Sequence, residues 1–149
     1  LSPDDAYFIM RGIRTLDVRL DKHQQNAKQI AKFLSTKKNI EVLYPLKKNT
    51  INYILWNKYY SGSSGLMGIK ITAKNKESVD KFVNSLKLFG HGYSWGGYES
   101  LALHQEIKEQ GKRKFLKLKK NEHIVRLHIG LEDPKDLIQD LRKSLKFIK

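Results

Sequence analysis

The residues best suited to chemistry lie in two short segments of this chain. The first, 93–100 (Y-S-W-G-G-Y-E-S), places the adjacent Gly96 and Gly97 directly after Ser94 and Trp95. Paired glycines let a backbone approach a ligand or another chain closely. The same composition is also typical of a tight turn beside a buried tryptophan. The residues by themselves leave both interpretations open.

The second segment, 125–130 (V-R-L-H-I-G), alternates as a strand does. This alternation predicts that its odd-numbered residues face the core, and that Arg126 and His128 point to the opposite face, which is either solvent or a cleft. Of the 29 basic residues, 23 are Lys and only 6 are Arg. An Arg in a strand of so Lys-rich a chain indicates a need for the bidentate guanidinium fork, as for a carboxylate.

Several other kinds of site are excluded by the residue pattern. The five histidines have no metal-ligand spacing, so no metal site is predicted. There is no phosphate-binding glycine loop and no G-x-S-x-G nucleophile elbow. Cysteine is absent, which removes disulfides and thiolate chemistry and fits a cytoplasmic location. The apolar runs are too short to span a bilayer.

The net charge of +14 raises the possibility of nucleic-acid binding. The lysines are scattered along the chain, and Arg, which recognises phosphates and bases better, is scarce. A solvated Lys-rich surface is therefore favoured, while a nucleic-acid or partner-binding module stays an alternative. The densest basic run, 112–120, falls in a predicted loop.

The surrounding periodicity predicts an α+β layer, with a small sheet covered by helices on one side. Ser2, Pro3 and Asp5 form a helix start, and apolar residues at steps of three and four predict one long helix to about Lys37. Strands are predicted at 40–44, 66–72, 88–93 and 124–130, a helix at 76–86, a last helix from Pro134, and loops at 45–57 and 104–122, with a turn at 62–65.

Four motifs stand out along the chain: S-W-G-G-Y-E-S-L at 94–101, R-L-H-I-G-L-E-D at 126–133, a helical motif of D-A-Y and R-G-I-R-T-L within 5–16 that continues with Arg19, His23 and Asn26, and G-S-S-G-L at 62–66. Together they resemble one known family, the pyridoxal-phosphate (PLP) enzymes of Cys/Met metabolism, which include the trans-sulfuration lyases and synthases. They occur collinearly over nearly the whole chain.

The resemblance implies an aspartate-aminotransferase-like enzyme of fold type I, of which residues 1–149 form the single small C-terminal domain, with a mainly antiparallel sheet. It implies that the large domain, which holds PLP and the lysine bonded to it, is absent, so that no catalytic residue is expected in this chain. The Ser35-Thr36-Lys37 segment lies downstream of where the family places that lysine.

The resemblance also implies a site. Arg126 would bind the substrate α-carboxylate, helped by Ser94 and Trp95, and Glu99 would brace the 96–97 turn. Trp95 and the residues after Arg126 resemble the members that cleave cystathionine by β-elimination to homocysteine, pyruvate and ammonia. Members performing γ-elimination or γ-replacement are the alternative. The expected partners are the amino-acid substrate, the large domain and further copies of the chain in a tetramer. The basic 112–120 run departs from the family pattern.

Overall fold

A computed structural model of this chain describes residues 1–48, 50–107 and 118–148. Its centre is a sheet of five described strands in the order β1-β2-β5-β4-β3. Three of the four strand pairs are antiparallel, and only β3 and β4 run parallel, so the predicted mainly antiparallel sheet is confirmed. The strands are β1 (Ile40–Leu43), β2 (Leu66–Thr72), β3 (Gly90–His91), β4 (Leu101–Gln105) and β5 (Glu122–His128).

Five described α-helices accompany the sheet, and the last continues into a short 3-10 turn, Leu145–Ile148. The start of the last helix is as predicted, with Asp133 accepting from the Lys135 amide and Pro134 in the first turn. The helices are α1 (Pro3–Ile13), α2 (Leu16–Leu34), α3 (Ile51–Tyr59), α4 (Lys76–Asn84) and α5 (Pro134–Ser144).

The prediction of one uninterrupted N-terminal helix is wrong at a single point. Ser2 and Asp5 form the expected capping box, but the helix breaks after Ile13. There the Gly12 carbonyl accepts from the amide and hydroxyl of Thr15 and from the Arg19 guanidinium, 2.6 Å away. These local bonds replace the continuing helical ladder, and Gly12 itself favours helix weakly. The result is two consecutive helices.

The core lies between one face of the sheet and helices α2, α4 and α5, as predicted for a sheet covered on one side. β2 alternates as expected, with its even-numbered residues half-buried or exposed and its odd-numbered residues buried. Each fully buried Leu, Ile or Phe side chain contributes about 1.5–3 kcal/mol through burial. Fully buried members are Ala27, Ile30, Leu34, Ile69, Phe82, Val125, Leu127, Leu137 and Leu141.

Two loop predictions and one strand prediction need correction. Residues 51–57 of the predicted 45–57 loop belong to α3, which begins where the Thr50 hydroxyl accepts from the Tyr53 amide. The predicted 104–122 loop overlaps β4, which ends at Gln105 and is held by pairing with β5. Residues 108–117 of that loop lie outside the described part of the chain. The 88–93 strand shrinks to Gly90–His91, because pairing with β4 covers only those two residues.

The sheet face away from the core is the polar one. Lys70 on β2 bridges Glu41, 2.7 Å away, and Glu122, 3.6 Å away. Arg126 on β5 belongs to the same face, because it pairs in register with Gly68, two residues before Lys70. We call this the outer face. Residues 92–97 also contact the outer face.

Candidate functional site

Arg126 stands in the middle of the sheet, where β5 has neighbours on both sides. Its register partners are Gly68 on β2 and Leu103 on β4. The side chain is half-buried on the outer face, while the flanking Val125 and Leu127 are fully buried in the core. The predicted alternation of this strand is therefore confirmed at Arg126.

The Arg126 guanidinium is held by backbone carbonyls of the segment that leads into the glycine pair. Nη2 donates to the carbonyls of Gly92 at 2.7 Å and Ser94 at 3.1 Å, and Nη1 donates to that of Tyr93 at 2.8 Å. Nε is buried and has no partner among the described residues. No carboxylate lies within ion-pairing distance of Arg126 in the described part of the chain. A half-buried cation without a counter-ion is suited to an anionic ligand.

The structure brings Ser94 and Trp95 to this cation. The Ser94 carbonyl contacts Arg126 directly, and its side chain is exposed. Trp95 follows on the surface with 65% of its area exposed, between the similarly exposed Tyr93 and Tyr98. The sequence also allowed a tight turn beside a buried tryptophan. That interpretation is wrong for the tryptophan, because Trp95 is exposed. Three exposed aromatic side chains within 93–98, the segment whose first two carbonyls contact Arg126, offer a surface that another molecule can cover.

His128 on β5 holds the glycine pair 96–97 in place through hydrogen bonding. Gly96 has φ of +84°, the left-handed region that glycine adopts without a Cβ penalty. His128 Nε2 lies 3.2 Å from the Gly96 amide and 3.1 Å from the Gly97 carbonyl, so it accepts from one or donates to the other depending on its tautomer. Burial lowers the pKa of His128, with the Gly97 carbonyl opposing and His23 adding to that effect. The ring is consequently neutral at neutral pH.

Hydrogen bonds between Ser100 and Glu132 also connect the 94–100 segment to the residues that follow β5. The Ser100 amide and hydroxyl donate to the two Glu132 carboxylate oxygens at 2.7 and 2.8 Å. The Ser100 hydroxyl also accepts from the Gly130 amide at 2.8 Å. A Cβ on Gly130 would collide with Tyr98, Glu132 and the backbone of residue 99, which explains the glycine. The end of β5 and the 94–100 segment are thereby locked together.

Helix α2 holds the same corner from the other side. His23 Nδ1 donates to the Ile129 carbonyl at 2.7 Å, and Asn26 donates to the carbonyls of Gly130 and Glu132, both at 2.9 Å. The His23 ring lies 5.1 Å from that of His128, between centroids. His23 and Asn26 belong to the helical motif that carried the resemblance, and these contacts give that motif a structural purpose.

The supporting residues therefore differ in part from those singled out in the sequence. Gly96 and Gly97 form the turn, but the Glu99 side chain is exposed and makes no hydrogen bond within the described residues. The bonds around that turn come from His128, Ser100 and Glu132. The sequence contained two indications of these residues. The strand alternation placed His128 on the same face as Arg126, and Ser100 and Glu132 are part of the motifs at 94–101 and 126–133.

The residues around Arg126 do not provide a place to bind PLP covalently. Lys70, on the outer face, is engaged by Glu41 and Glu122, and the contact to Glu41 raises its pKa. Lys37 of the Ser35-Thr36-Lys37 segment lies over the Phe33 ring, 4.6 Å from its centroid, beside the C-terminal end of α2. No cluster of side chains suited to a metal occurs among the described residues. Among the described residues, the surroundings of Arg126 therefore offer no free lysine for a covalent bond to PLP.

Comparisons with known proteins establish the family of this chain. The family model described as Cys/Met metabolism PLP-dependent enzyme matches residues 1–146. A cystathionine beta-lyase of Bordetella avium is 38% identical over 97% of this chain and 36% of its own length. A cystathionine gamma-lyase of Mus musculus is 36% identical over 97% of this chain and 37% of its own length.

A solved structure of similar fold is that of cystathionine gamma synthase from Xanthomonas oryzae pv. oryzae, in complex with aminoacrylate and cysteine. It aligns with a TM-score of 0.82 at 30% identity, over 99% of this chain and 39% of that one. The fold is therefore that of the small α+β domain of fold-type I PLP enzymes, as predicted.

This chain belongs to the Cys/Met metabolism family of PLP-dependent enzymes. It spans little more than a third of the length of the curated relatives that it matches. Both lyases and synthases are among those relatives, so the comparisons support the trans-sulfuration family without separating β- from γ-type reactions. No described helix is long and apolar enough to cross a membrane.

Proposed function

We propose that this chain is the substrate-orienting part of a PLP-dependent carbon–sulfur lyase, and that Arg126 binds the α-carboxylate of the amino-acid substrate. One observation carries the proposal. Arg126 is a half-buried cation on the outer face, its only described partners are neutral carbonyls, and exposed Ser94 and Trp95 adjoin it. A carboxylate is the ligand that a guanidinium fork accepts best.

The hydrogen bonds that Arg126 already makes determine what the binding of a carboxylate would require. A guanidinium has five N–H groups. Both protons of Nη2 and one of Nη1 go to carbonyls, which leaves the Nε proton and one Nη1 proton. Both bidentate arrangements for a carboxylate use Nη2, paired with either Nη1 or Nε. A substrate would therefore displace the Gly92 or the Ser94 carbonyl, and the 92–95 segment would move as it binds.

The contribution of this chain to the reaction is orientation. A carboxylate held by two parallel hydrogen bonds cannot rotate freely, so the substrate Cα–H bond keeps one direction relative to the reacting group. Trp95 would cover the substrate and exclude water from it. His128, Ser100 and Glu132 would hold the turn that carries Ser94 and Trp95. When bound, PLP supplies the electron sink for the carbanion at Cα.

We further propose that the complete protein performs β-elimination on cystathionine. The tryptophan at position 95 and the sequence following Arg126 support this choice, as does the 38% identity with a cystathionine beta-lyase. The test is the product formed from cystathionine by the complete purified protein. Pyruvate, ammonia and homocysteine are expected. Formation of 2-oxobutyrate and cysteine would instead establish a γ-type member, which the similarity to a cystathionine gamma-lyase favours.

The proposal has a consequence for residues 1–149 alone. Within residues 1–48, 50–107 and 118–148, no lysine is available beside Arg126, so this chain should neither form a stable covalent complex with PLP nor cleave cystathionine. Visible absorbance after dialysis and borohydride trapping measure the first property, and thiol release measures the second. Stoichiometric cofactor trapped on one lysine would contradict the assignment. The tetrameric state and the cytoplasmic location remain predictions for the complete protein.

A further inference from the structure

A second concavity, which shares no residue with the Arg126 site, collects positive charge. Its volume is about 740 Å³, within the range of about 300–1,000 Å³ that small-molecule sites occupy. It lies where the C-terminal ends of α2 and β2 meet the residues after α5. We call it the basic basin. Its lining consists of Lys37, Lys38, Asn39, Thr72, Ala73, Lys74, Asn121, Arg142, Leu145, Lys146 and Ile148.

The five cations of the basic basin are not neutralised by the described residues. Asp and Glu are absent from its lining. The ion pairs of the described chain involve Lys70, Lys76 and His104, and none of them reaches the basin. Lys37 and Arg142 instead lie over the same Phe33 ring, at 4.6 and 5.6 Å from its centroid. Two like charges beside one ring gain stability when an anion joins them.

Helix ends alone do not explain this accumulation of charge. Lysines commonly complement the carbonyls at helix C-termini, and α2 and α5 both end close to the basin, at Leu34 and Ser144. Each helix end is equivalent to about −0.5 charge, so the two account for about one of the five cations. About four positive charges remain around one cavity.

The remaining lining suggests the rest of the ligand. The half-buried Leu145 contributes apolar surface to the same cavity, and Asn39 and Asn121 contribute amides. A ligand with several negative charges at one end and a flat, partly apolar group at the other matches both parts. A concavity of about 740 Å³ has room for one small molecule, which favours such a ligand over an extended nucleic-acid backbone.

We propose that the basic basin binds a nucleoside polyphosphate, with its phosphates on Lys74, Arg142 and the neighbouring lysines and its nucleoside against Leu145. The site is independent of the proposed lyase function, because none of its residues contacts Arg126 or the 92–97 turn among the described hydrogen bonds. It also gives a role to the high positive charge of the chain, which substrate orientation does not use.

The test is calorimetric titration of the complete protein with ATP, tripolyphosphate and adenosine. We expect saturable binding of one ATP per chain, weaker binding of tripolyphosphate and none of adenosine. The double variant Lys74→Gln/Arg142→Gln should weaken ATP binding roughly tenfold or more, because two charge-assisted contacts are lost. The matched control is Lys22→Gln/Lys28→Gln, which removes the same charge from exposed positions outside the basin.

Both variants alter exposed side chains and should fold normally, which circular dichroism checks. Three results would overturn the proposal: no saturable ATP binding, equal weakening by the control pair, or tighter binding of a single-stranded RNA through the same two residues. Equal affinity for ATP and tripolyphosphate would overturn the place given to the nucleoside. Loss of ATP binding with unchanged cystathionine cleavage would leave the lyase assignment intact.

Discussion

The proposed role of Arg126 depends on the backbone carbonyls that hold its side chain. The carbonyls of residues 92–94 hold the guanidinium in one orientation without cancelling its charge. A salt bridge to a carboxylate of the chain would have satisfied the cation and closed the site. The arrangement therefore keeps the charge available, at the cost of a shift in the 92–95 segment when a carboxylate enters.

The first prediction concerns this residue in the complete protein. Arg126→Lys keeps the charge but removes the planar fork, so one of two parallel hydrogen bonds to the substrate is lost. A charge-assisted bond contributes about 1.5–3 kcal/mol, so kcat/KM should fall about tenfold to a hundredfold or more. Arg142→Lys, an exposed change outside the site, is the control. Unchanged kinetics in a normally folded Arg126→Lys protein would refute the carboxylate role.

The second prediction concerns pH and His128. Burial lowers the pKa of this ring in the folded chain, so between that pKa and the unfolded value of about 6.5 the unfolded state binds more protons. The free energy of unfolding should therefore rise with pH across this window and level off above it. Burial lowers the pKa of His123 as well, which adds to the same slope.

Thermal unfolding of this chain between pH 5.5 and 7.5 measures the effect. His128→Gln keeps a hydrogen-bonding group near the 96–97 turn and removes the titration, so its unfolding temperature should depend less on pH than that of the parent. His91→Gln, an exposed histidine outside this contact, is the matched control and should leave the slope unchanged. An identical pH dependence in parent and His128→Gln would show that His128 does not titrate as argued.

At the scale of elements, the site depends on the link between the end of β5 and the start of β4. Ser100 makes this link with three hydrogen bonds, two to Glu132 and one from Gly130. The two that use its hydroxyl involve a buried side chain, and their loss would leave the Gly130 amide without a partner in a buried corner. The turn that carries Ser94 and Trp95 rests on this corner.

The third prediction follows from that link. Ser100→Ala should lower the free energy of unfolding by about 1–3 kcal/mol, as measured by urea denaturation. In the complete protein it should raise KM more than it lowers kcat, because the turn loses its position. Ser78→Ala, which removes an exposed hydroxyl on α4, should change stability by about 0.5 kcal/mol or less. A loss no greater than that of Ser78→Ala would show that the Ser100 link does not hold the turn.

At the scale of the whole molecule, the N-terminal helical region divides into a covered and an uncovered part. The second half of α2 packs into the core, whereas α1 has no buried residue. Tyr7, Phe8, Ile9 and Ile13 are each more than half exposed, and they lie on consecutive turns of one helix. An apolar surface of this kind is covered by protein in a stable assembly.

The fourth prediction is that residues 1–149 by themselves associate through this surface. Light scattering should show a mean mass that rises with concentration. The double variant Phe8→Gln/Ile13→Gln should reduce the association without loss of helix, because neither side chain contributes to the core and glutamine favours helix. Lys28→Gln/Lys135→Gln, at exposed charged positions, should not reduce it. A monomer up to high concentration would contradict the prediction.

The sequence alone determined the elements whose pattern is local. The capping box of α1, the alternation of β2, the start of α5 and the placement of Arg126 opposite the core all follow from spacings of two to four residues, and the structure confirms them. The motifs also led to the correct family.

Only the tertiary structure decided which residues complete the site. His23 and Ile129 are 106 positions apart, and Ser100 and Glu132 are 32 apart, so no local periodicity could join them. The same is true of the three carbonyls that hold Arg126 and of the five cations that gather around one basin. Such contacts depend on how the strands and helices pack, since side chains distant in sequence meet only when the core between them has formed.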